Sequence, residues 1–542
     1  MTLLRPDGEH ARRRPSTSTL ITVVVLGFLG GCAREGPVCG EGFKRCSLTC
    51  ADLASDALNC GACGAACGVG ELCQGGRCQC PPGTSLCGNR CVSTLSDPAN
   101  CGGCAGTVAG RACTADQVCD RGQCQTTCVT PGSTQCGQSC VTLASDANNC
   151  GTCGHSCPPP QSCHGGSCSY DLVAACFNTG QVVGVQGNTD LIGGRARVGA
   201  FPQALGSLSD VLLVADGIDQ RLRQARLGDL SPLPGEVRLG ASPNHVWVED
   251  PYVYVVNSLG NTLQVLRRGT SDSPGGPATP GGGFPGGLNL TTIGELNLGP
   301  TSSPQAIVKL DHDLFIPLWG GSGRVAQVDV ANPRAPSLTR MFDLSHLDLR
   351  PFDGRRAYAH PGAVASAWGK IYVALENLDA GFSPAGPGML AKIDPVSGDV
   401  TAVELGADVC LNAFWISFAD DALYVSCAGK TVYGQGWTPL VVEKSGAVVL
   451  NQREERVSTW AVSCAPGSTG CLPPSVGRFA IFNHRLYLAD QSGGRIFVVE
   501  SQSDHRLVER RGHNPVDGGP PIIACPRDGE MLSLVIDIIA VP

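Results

Sequence analysis

Cysteine carries most of the chemical potential of this chain. It occurs 31 times in 542 residues, and 26 of the 31 fall between Cys32 and Cys176. Closely spaced thiols can hold zinc, exchange disulfides or cross-link a small fold. The pairs Cys60/Cys63, Cys101/Cys104 and Cys150/Cys153 have the C-x-x-C spacing that suits all three. Structural zinc sites belong mostly to reducing compartments, and no His recurs at matching positions around the three pairs. A thioredoxin-like site needs a βαβ context that this stretch lacks. Structural disulfides are the reading taken, and no metal is assigned.

Acid–base and nucleophilic residues are present but form no known constellation. Gly321-Ser322-Gly323 lacks the flanks of a nucleophile elbow. Gly429-Lys430-Thr431 ends like a P-loop, yet Tyr424 stands where the first glycine belongs. No H-E-x-x-H or EF-hand loop occurs. Asp311-His312-Asp313, Glu249-Asp250 and Asp420-Asp421 read as strand-connecting turns. No catalytic residue is therefore assigned, and no cofactor is expected. With 39 Lys+Arg against 47 Asp+Glu and a net charge of −8, the chain has no basic surplus for nucleic acid.

The amino terminus indicates where this chemistry operates. Arg12-Arg13-Arg14 precedes an apolar run, Leu20 to Leu29, too short to span a bilayer, so residues 1–31 read as an export signal. The run ends Leu29-Gly30-Gly31-Cys32, which resembles the bacterial lipobox. The resemblance implies that Cys32 becomes the lipidated first residue of the mature chain, with 32–38 as a linker. Several acyl chains on one residue hold a protein to a membrane far better than one. Ala33 after the Cys favours the outer membrane in the enterobacterial sorting logic. The expectation is a cell-envelope protein, anchored at the outer membrane or cell surface and oxidised.

Three cysteine-rich units follow, at 39–78, 80–124 and 128–168. Unit one contains Cys39, Cys46, Cys50, Cys60, Cys63, Cys67, Cys73 and Cys78. Unit two contains Cys80, Cys87, Cys91, Cys101, Cys104, Cys113, Cys119 and Cys124. Unit three contains Cys128, Cys136, Cys140, Cys150, Cys153, Cys157, Cys163 and Cys168. Between Cys39 and Cys168 the one aromatic residue is Phe43, so these units cannot offset chain entropy by apolar burial and need cross-links. Spacing alone gives no pairing. Each unit also repeats Asp and Asn before Cys-Gly, as in Asp56…Asn59-Cys60-Gly61, Asp97…Asn100-Cys101-Gly102 and Asp146…Asn149-Cys150-Gly151. Turn capping is the role these residue types suit, with a Ca²⁺ or ligand site as the alternative. The L-x-S-D-x-x-N-C-G-x-C-G pattern resembles the Stig1-like repeats of extracellular proteins and the cysteine-rich repeats of myxobacterial surface lipoproteins. In plant members that resemblance implies binding of extracellular protein or lipid headgroups.

From Tyr170 onward aromatics return and β-branched runs alternate with Gly/Asn/Asp turns. Six segments share one plan: Val211–Asp216, Val253–Asn257, Leu314–Leu318, Ile371–Ala374, Leu423–Ser426 and Leu486–Asp490. A period near fifty residues with several short strands predicts an all-β fold, with a β-propeller over 177–542. Ser242-Pro243-Asn244…Tyr254-Val255-Val256-Asn257…Asn261-Thr262 resembles the YVTN-type propeller repeat of bacterial surface proteins. Seven blades are expected, with six or eight as alternatives. The seventh is assembled from both ends, Leu532–Ile539 pairing with a strand near Gln181–Val185. Ser271–Leu288 reads as a disordered rim loop. Cys464 and Cys471 are expected to close a small loop. Cys410 and Cys427 suit one blade, but Cys525 could pair with either of them or with Cys176.

In a propeller the starts of the innermost strands converge on one mouth of the axial channel. Asn244, His245, Gln305, His360, Asn412 and Arg478 stand at or near those starts, which marks them as candidate ligand-binding residues. Two functions follow as expectations. One is a lipid-anchored binding protein whose cysteine-rich stalk presents a propeller to an extracellular protein or glycan. The other is a propeller hydrolase of lactonase type, or a lyase, acting in the axial channel.

Overall fold

The cysteine-rich units fold around their bridges. In the computed structural model, which describes residues 44–541 except 47–48, 52, 54–58, 69–70, 75, 81–83, 159–160, 188–189, 270–286, 322, 434–438, 462–474, 492, 512–521 and 526–533, units two and three share one connectivity. The first Cys bonds the third, the second the fifth, the fourth the seventh and the sixth the eighth. Unit one shows the last three of these pairings, Cys46–Cys63, Cys60–Cys73 and Cys67–Cys78. Cys32, Cys39, Cys464, Cys471 and the signal segment lie outside the described residues. The two members of each C-x-x-C pair bond different partners, and as disulfides they offer no thiolate to a metal.

The recurring Asp and Asn act as turn caps. The Asn100 and Asn149 carboxamide oxygens accept from the N–H of Ala105 (3.0 Å) and Gly154 (2.9 Å), and Asp97 and Asp146 cap two residues ahead. The following glycine has a left-handed backbone, φ +72° at Gly151, and a Cβ there would lie 2.5 Å from the Gly166 carbonyl oxygen. Units two and three are also joined. Their hairpins, Val118–Asp120 with Gln123–Gln125 and Thr134–Cys136 with Ser139–Val141, form one four-stranded sheet through the parallel pair Cys119/Ser139. Asp120 locks that seam, accepting from Val129 N–H, Thr130 N–H and Thr130 Oγ1 at 2.6–2.9 Å.

The described residues of the rest of the chain form seven four-stranded antiparallel blades. Blade 1 runs Pro202–Leu208, Val211–Asp216, Arg221–Arg226 and Pro232–Arg238 from the axis outward. Blades 2 to 6 begin with the inner strands Pro243–Glu249, Val308–Leu310, Pro361–Ala367, Ala413–Ala419 and Val476–Phe482. Blade 5 carries an additional hairpin, Lys430–Tyr433 with Pro439–Glu443, and blade 6 an additional short strand, Ile522–Ile523. Second strands such as Val211–Asp216 and Ala422–Cys427 are buried throughout, whereas the outer strand Pro232–Arg238 is largely exposed. The sequence pattern has that cause: a strand covered on both faces reads as a continuous apolar run. The Asp or Asn ending several second strands has another role. The buried Asp216 carboxylate accepts from the N–H groups of Ala200 and Phe201, tying down the chain that enters the blade.

Blade 7 unites both ends of the domain, but not with the expected pairing. The C-terminal strand Val535–Ala540 is innermost and pairs with Leu172–Cys176, which then pairs with Gln181–Gln186. The ring therefore takes in residues from Leu172, not from 177, and Gln181–Gln186 stands one strand further out than the sequence suggested. Cys176–Cys525 closes the seam between blades 6 and 7, and Cys410–Cys427 ties the entry of blade 5 to its second strand. At the end of the Ser271–Leu288 segment, Leu288 is buried and its N–H donates to Gln224 Oε1 (2.7 Å).

Unit three packs against the ring where the chain enters it. Gln161 Nε2 donates to the Gly228 carbonyl, His164 Nε2 lies 2.7 Å from Asp171 Oδ1, and Gln186 Nε2 donates to Ser162 Oγ (3.5 Å). Leu172 pairs with Ala540, the last residue of its inner strand. This entry is therefore on the face where inner strands end.

Candidate functional site in the axial channel

A repeated irregularity shapes the opposite face, where inner strands begin. Pairing skips one residue between Pro202 and Ala204, Pro243 and His245, Pro361 and Ala363, and Ala413 and Trp415. Such a bulge re-aims the skipped side chain. The skipped residues are Gln203, Asn244, Gly362 and Phe414, and Gln305 follows Pro304 at the same place in blade 3. Two residues before these stand Ser242, Ser303, His360 and Asn412, all with φ of 43–56°. Their carbonyls accept from the N–H of Ser258, Trp319, Glu376 and Ala428, each just beyond a second strand. The candidate residues therefore occupy different registers: Asn244 and Gln305 on the bulge, His360 and Asn412 on the preceding turn, His245 and Arg478 one step down the channel.

Asn244, Gln305 and Arg478 come together. Gln203 Nε2 donates to Asn244 Oδ1 (3.1 Å), Asn244 Nδ2 donates to Gln305 Oε1 (2.6 Å), and Arg478 Nη2 donates to the Asn244 carbonyl (2.6 Å). These amides from three consecutive blades form one side of a polar crown. Below it, Arg478 lies 4.6 Å from the Trp415 ring centroid and 3.3 Å from Asp537 Oδ2. Both members of that ion pair are buried. Burial pushes the Asp537 carboxyl upward, against the pull of Arg478 and of the N–H groups of Leu205 and Ile538. His245 faces Trp415 at 5.5 Å, and its Nδ1 accepts from Ile307 N–H (3.2 Å). Burial, then the charge of Arg478, holds its pKa down at about 3, so the ring is neutral at ordinary pH.

His360 joins a separate cluster. Its ring lies 4.2 Å from that of Trp319, which stacks on Phe382 at 5.4 Å, and its Nδ1 is 3.1 Å from the Trp319 carbonyl. Trp319 Nε1 donates to Glu376 Oε1 (3.1 Å), and burial pushes the Glu376 carboxyl up to about 8. A Cβ on Gly362 would lie 2.9 Å from Glu376 Oε1, so the missing side chain makes room for this acid. Asn412 joins neither group; its buried Oδ1 has no donor among the described residues.

Below the ion pair the channel holds a cavity of about 590 Å³. Leu205, Val246, Ile307, Val364, Ile416, Phe479 and Ile538, one from each blade, form an apolar ring around it. Sequence reasoning missed Gln203, Trp415, Glu376 and Asp537. Gln203 was findable from Pro202-Gln203 beside Pro243-Asn244 and Pro304-Gln305. Asp537 was findable as the lone charge in an apolar strand.

No family model matches this sequence, and no curated protein matches it. Among solved structures, a Bacteroides fragilis protein provisionally assigned as a 6-phosphogluconolactonase is 13% identical, with a TM-score of 0.44, over 65% of this chain and 96% of that one. AztD from Citrobacter koseri is similar at 13% identity and TM-score 0.40, over 68% and 97%. BamB from Moraxella catarrhalis follows at 12% and 0.37, over 63% and 85%. The propeller assignment rests on the strand order given above.

Proposed function

We propose that this chain is an exported, lipid-anchored binding protein of the cell envelope, with its cysteine-rich units as a stalk and its crown face offered to an extracellular protein or glycan. One observation carries the reading: unit three joins the ring on the face where inner strands end, opposite the crown. A tether through the amino terminus then leaves the crown facing away from the membrane. The thirteen described disulfides suit an oxidising compartment. Mass spectrometry of membrane-extracted protein is expected to find a mature chain starting at lipid-bearing Cys32, and Cys32→Ala to release it from the membrane. An unlipidated start elsewhere overturns the anchor. Asn244→Ala/Gln305→Ala is expected to abolish capture of extracellular proteins or glycans by the full chain while leaving it folded, with an unchanged far-ultraviolet circular dichroism spectrum.

A channel hydrolase or lyase is the second reading, drawn from Glu376. A carboxyl that keeps its proton near neutral pH is suited to general-acid work, and this one stands beside His360 and Trp319 at the crown. Turnover in a panel of lactones, abolished by Glu376→Gln, would decide for it.

A further inference from the structure

The cavity below the ion pair is separate from the crown and chemically unlike it. The one carboxylate among its lining residues, Asp537, is already matched by Arg478 at 3.3 Å. His245 lines it as a neutral ring. With Nδ1 accepting from Ile307 N–H, the ring proton sits on Nε2. That Nε2–H has no partner among the described residues. Neither do the hydroxyls of Ser207, Ser366 and Ser417, which line the cavity in blades 1, 4 and 5. Among the described residues the wall thus offers an apolar belt, one fixed donor, three hydroxyls without partners and no unmatched charge. Its volume falls within the range of small-molecule sites.

We infer that this cavity binds an uncharged, largely apolar small molecule that presents one oxygen acceptor, a ketone, ester or alcohol, to His245 Nε2–H. The assignment does not depend on the anchor or on the crown's partner, since it uses neither Cys32 nor the amide network.

Nile red, which is neutral and carries a carbonyl, serves as the probe, on the full chain carrying Cys32→Ser so that no detergent is needed. Saturable one-to-one binding is expected, displaced by 2-undecanone but not by decanoate. Two cavity-filling variants on opposite sides, Ser366→Trp and Ser207→Phe, are each expected to weaken Nile red at least about tenfold, the effect of losing an apolar pocket. His245→Phe keeps the ring but not the donor. It is expected to weaken 2-undecanone about three- to tenfold, the range of one neutral hydrogen bond, and to leave n-decane unchanged. Non-saturable binding, binding unaltered in a folded filling variant, or displacement by decanoate as effective as by the ketone would overturn the inference.

Discussion

Glu376 shows how one side chain sets a pH dependence. Its carboxyl is raised from an ordinary 4.5 to about 8 by burial. Below about pH 4.5 folded and unfolded chains are both protonated there. Between that pH and 8 the folded protein keeps a proton that the unfolded chain has lost, so the contribution to stability falls as pH rises. Glu376→Gln should therefore flatten the loss of stability between pH 5 and 8, measured by denaturant unfolding across that range. At Arg478 the charge itself matters. Arg478→Met leaves Asp537 buried without its counter-ion, which costs about 3–5 kcal/mol; the double variant Arg478→Met/Asp537→Asn should recover part of that. The crown was only partly legible at this scale. His360 and Asn412 were grouped with Asn244 because all stand near an inner-strand start. The bulge separates the turn position from the channel position by two residues, and no composition signal marks which is which.

Between elements, tyrosines on second strands latch neighbouring blades. Tyr372 Oη donates to Glu454 Oε1 (2.8 Å), Tyr424 Oη meets Ser501 Oγ (2.9 Å), and Tyr487 Oη shares its one proton between Asp190 Oδ1 (2.9 Å) and the Gly187 carbonyl. In each case the partner sits by the turn between third and fourth strands of the next blade. Burial raises all three hydroxyls in pKa, so they keep their protons. Each Tyr→Phe should cost about 1 kcal/mol; shifted denaturation midpoints at constant m-value are the readout. The recurring Leu/Ile/Val-Tyr-Val that made the blades legible is thus an inter-blade contact as well as a strand signal. Leu172-Val-Ala-Ala-Cys176 has neither the aromatic nor the terminal Asp or Asn of its counterparts. That is why the closing partner was placed one strand too far out.

For the molecule as a whole, Cys176–Cys525 and the C-terminal strand hold the ring shut. The bridge spans 349 residues and Cys410–Cys427 spans 17. Loop entropy alone assigns them about 5–6 and about 3 kcal/mol. Replacing Cys176 and Cys525 by Ala should therefore lower the melting temperature more than the same change at Cys410 and Cys427, in calorimetry of the oxidised proteins. The number of blades was readable from repeated strands, and the need for cross-links from the missing aromatics of the first units. The bridge connectivity was not, because it depends on which hairpins stack in space.

Mechanical load follows from the same seam. Force applied through the cysteine-rich units passes the contacts of Gln161, Ser162 and His164 and runs along the chain into Leu172–Cys176, a strand held on one side by Val535–Ala540 and on the other by Gln181–Gln186. Pulled along its own axis, that strand is sheared against both neighbours, loading two rows of hydrogen bonds together instead of peeling them singly, and the bridge at Cys176 stops whatever slips.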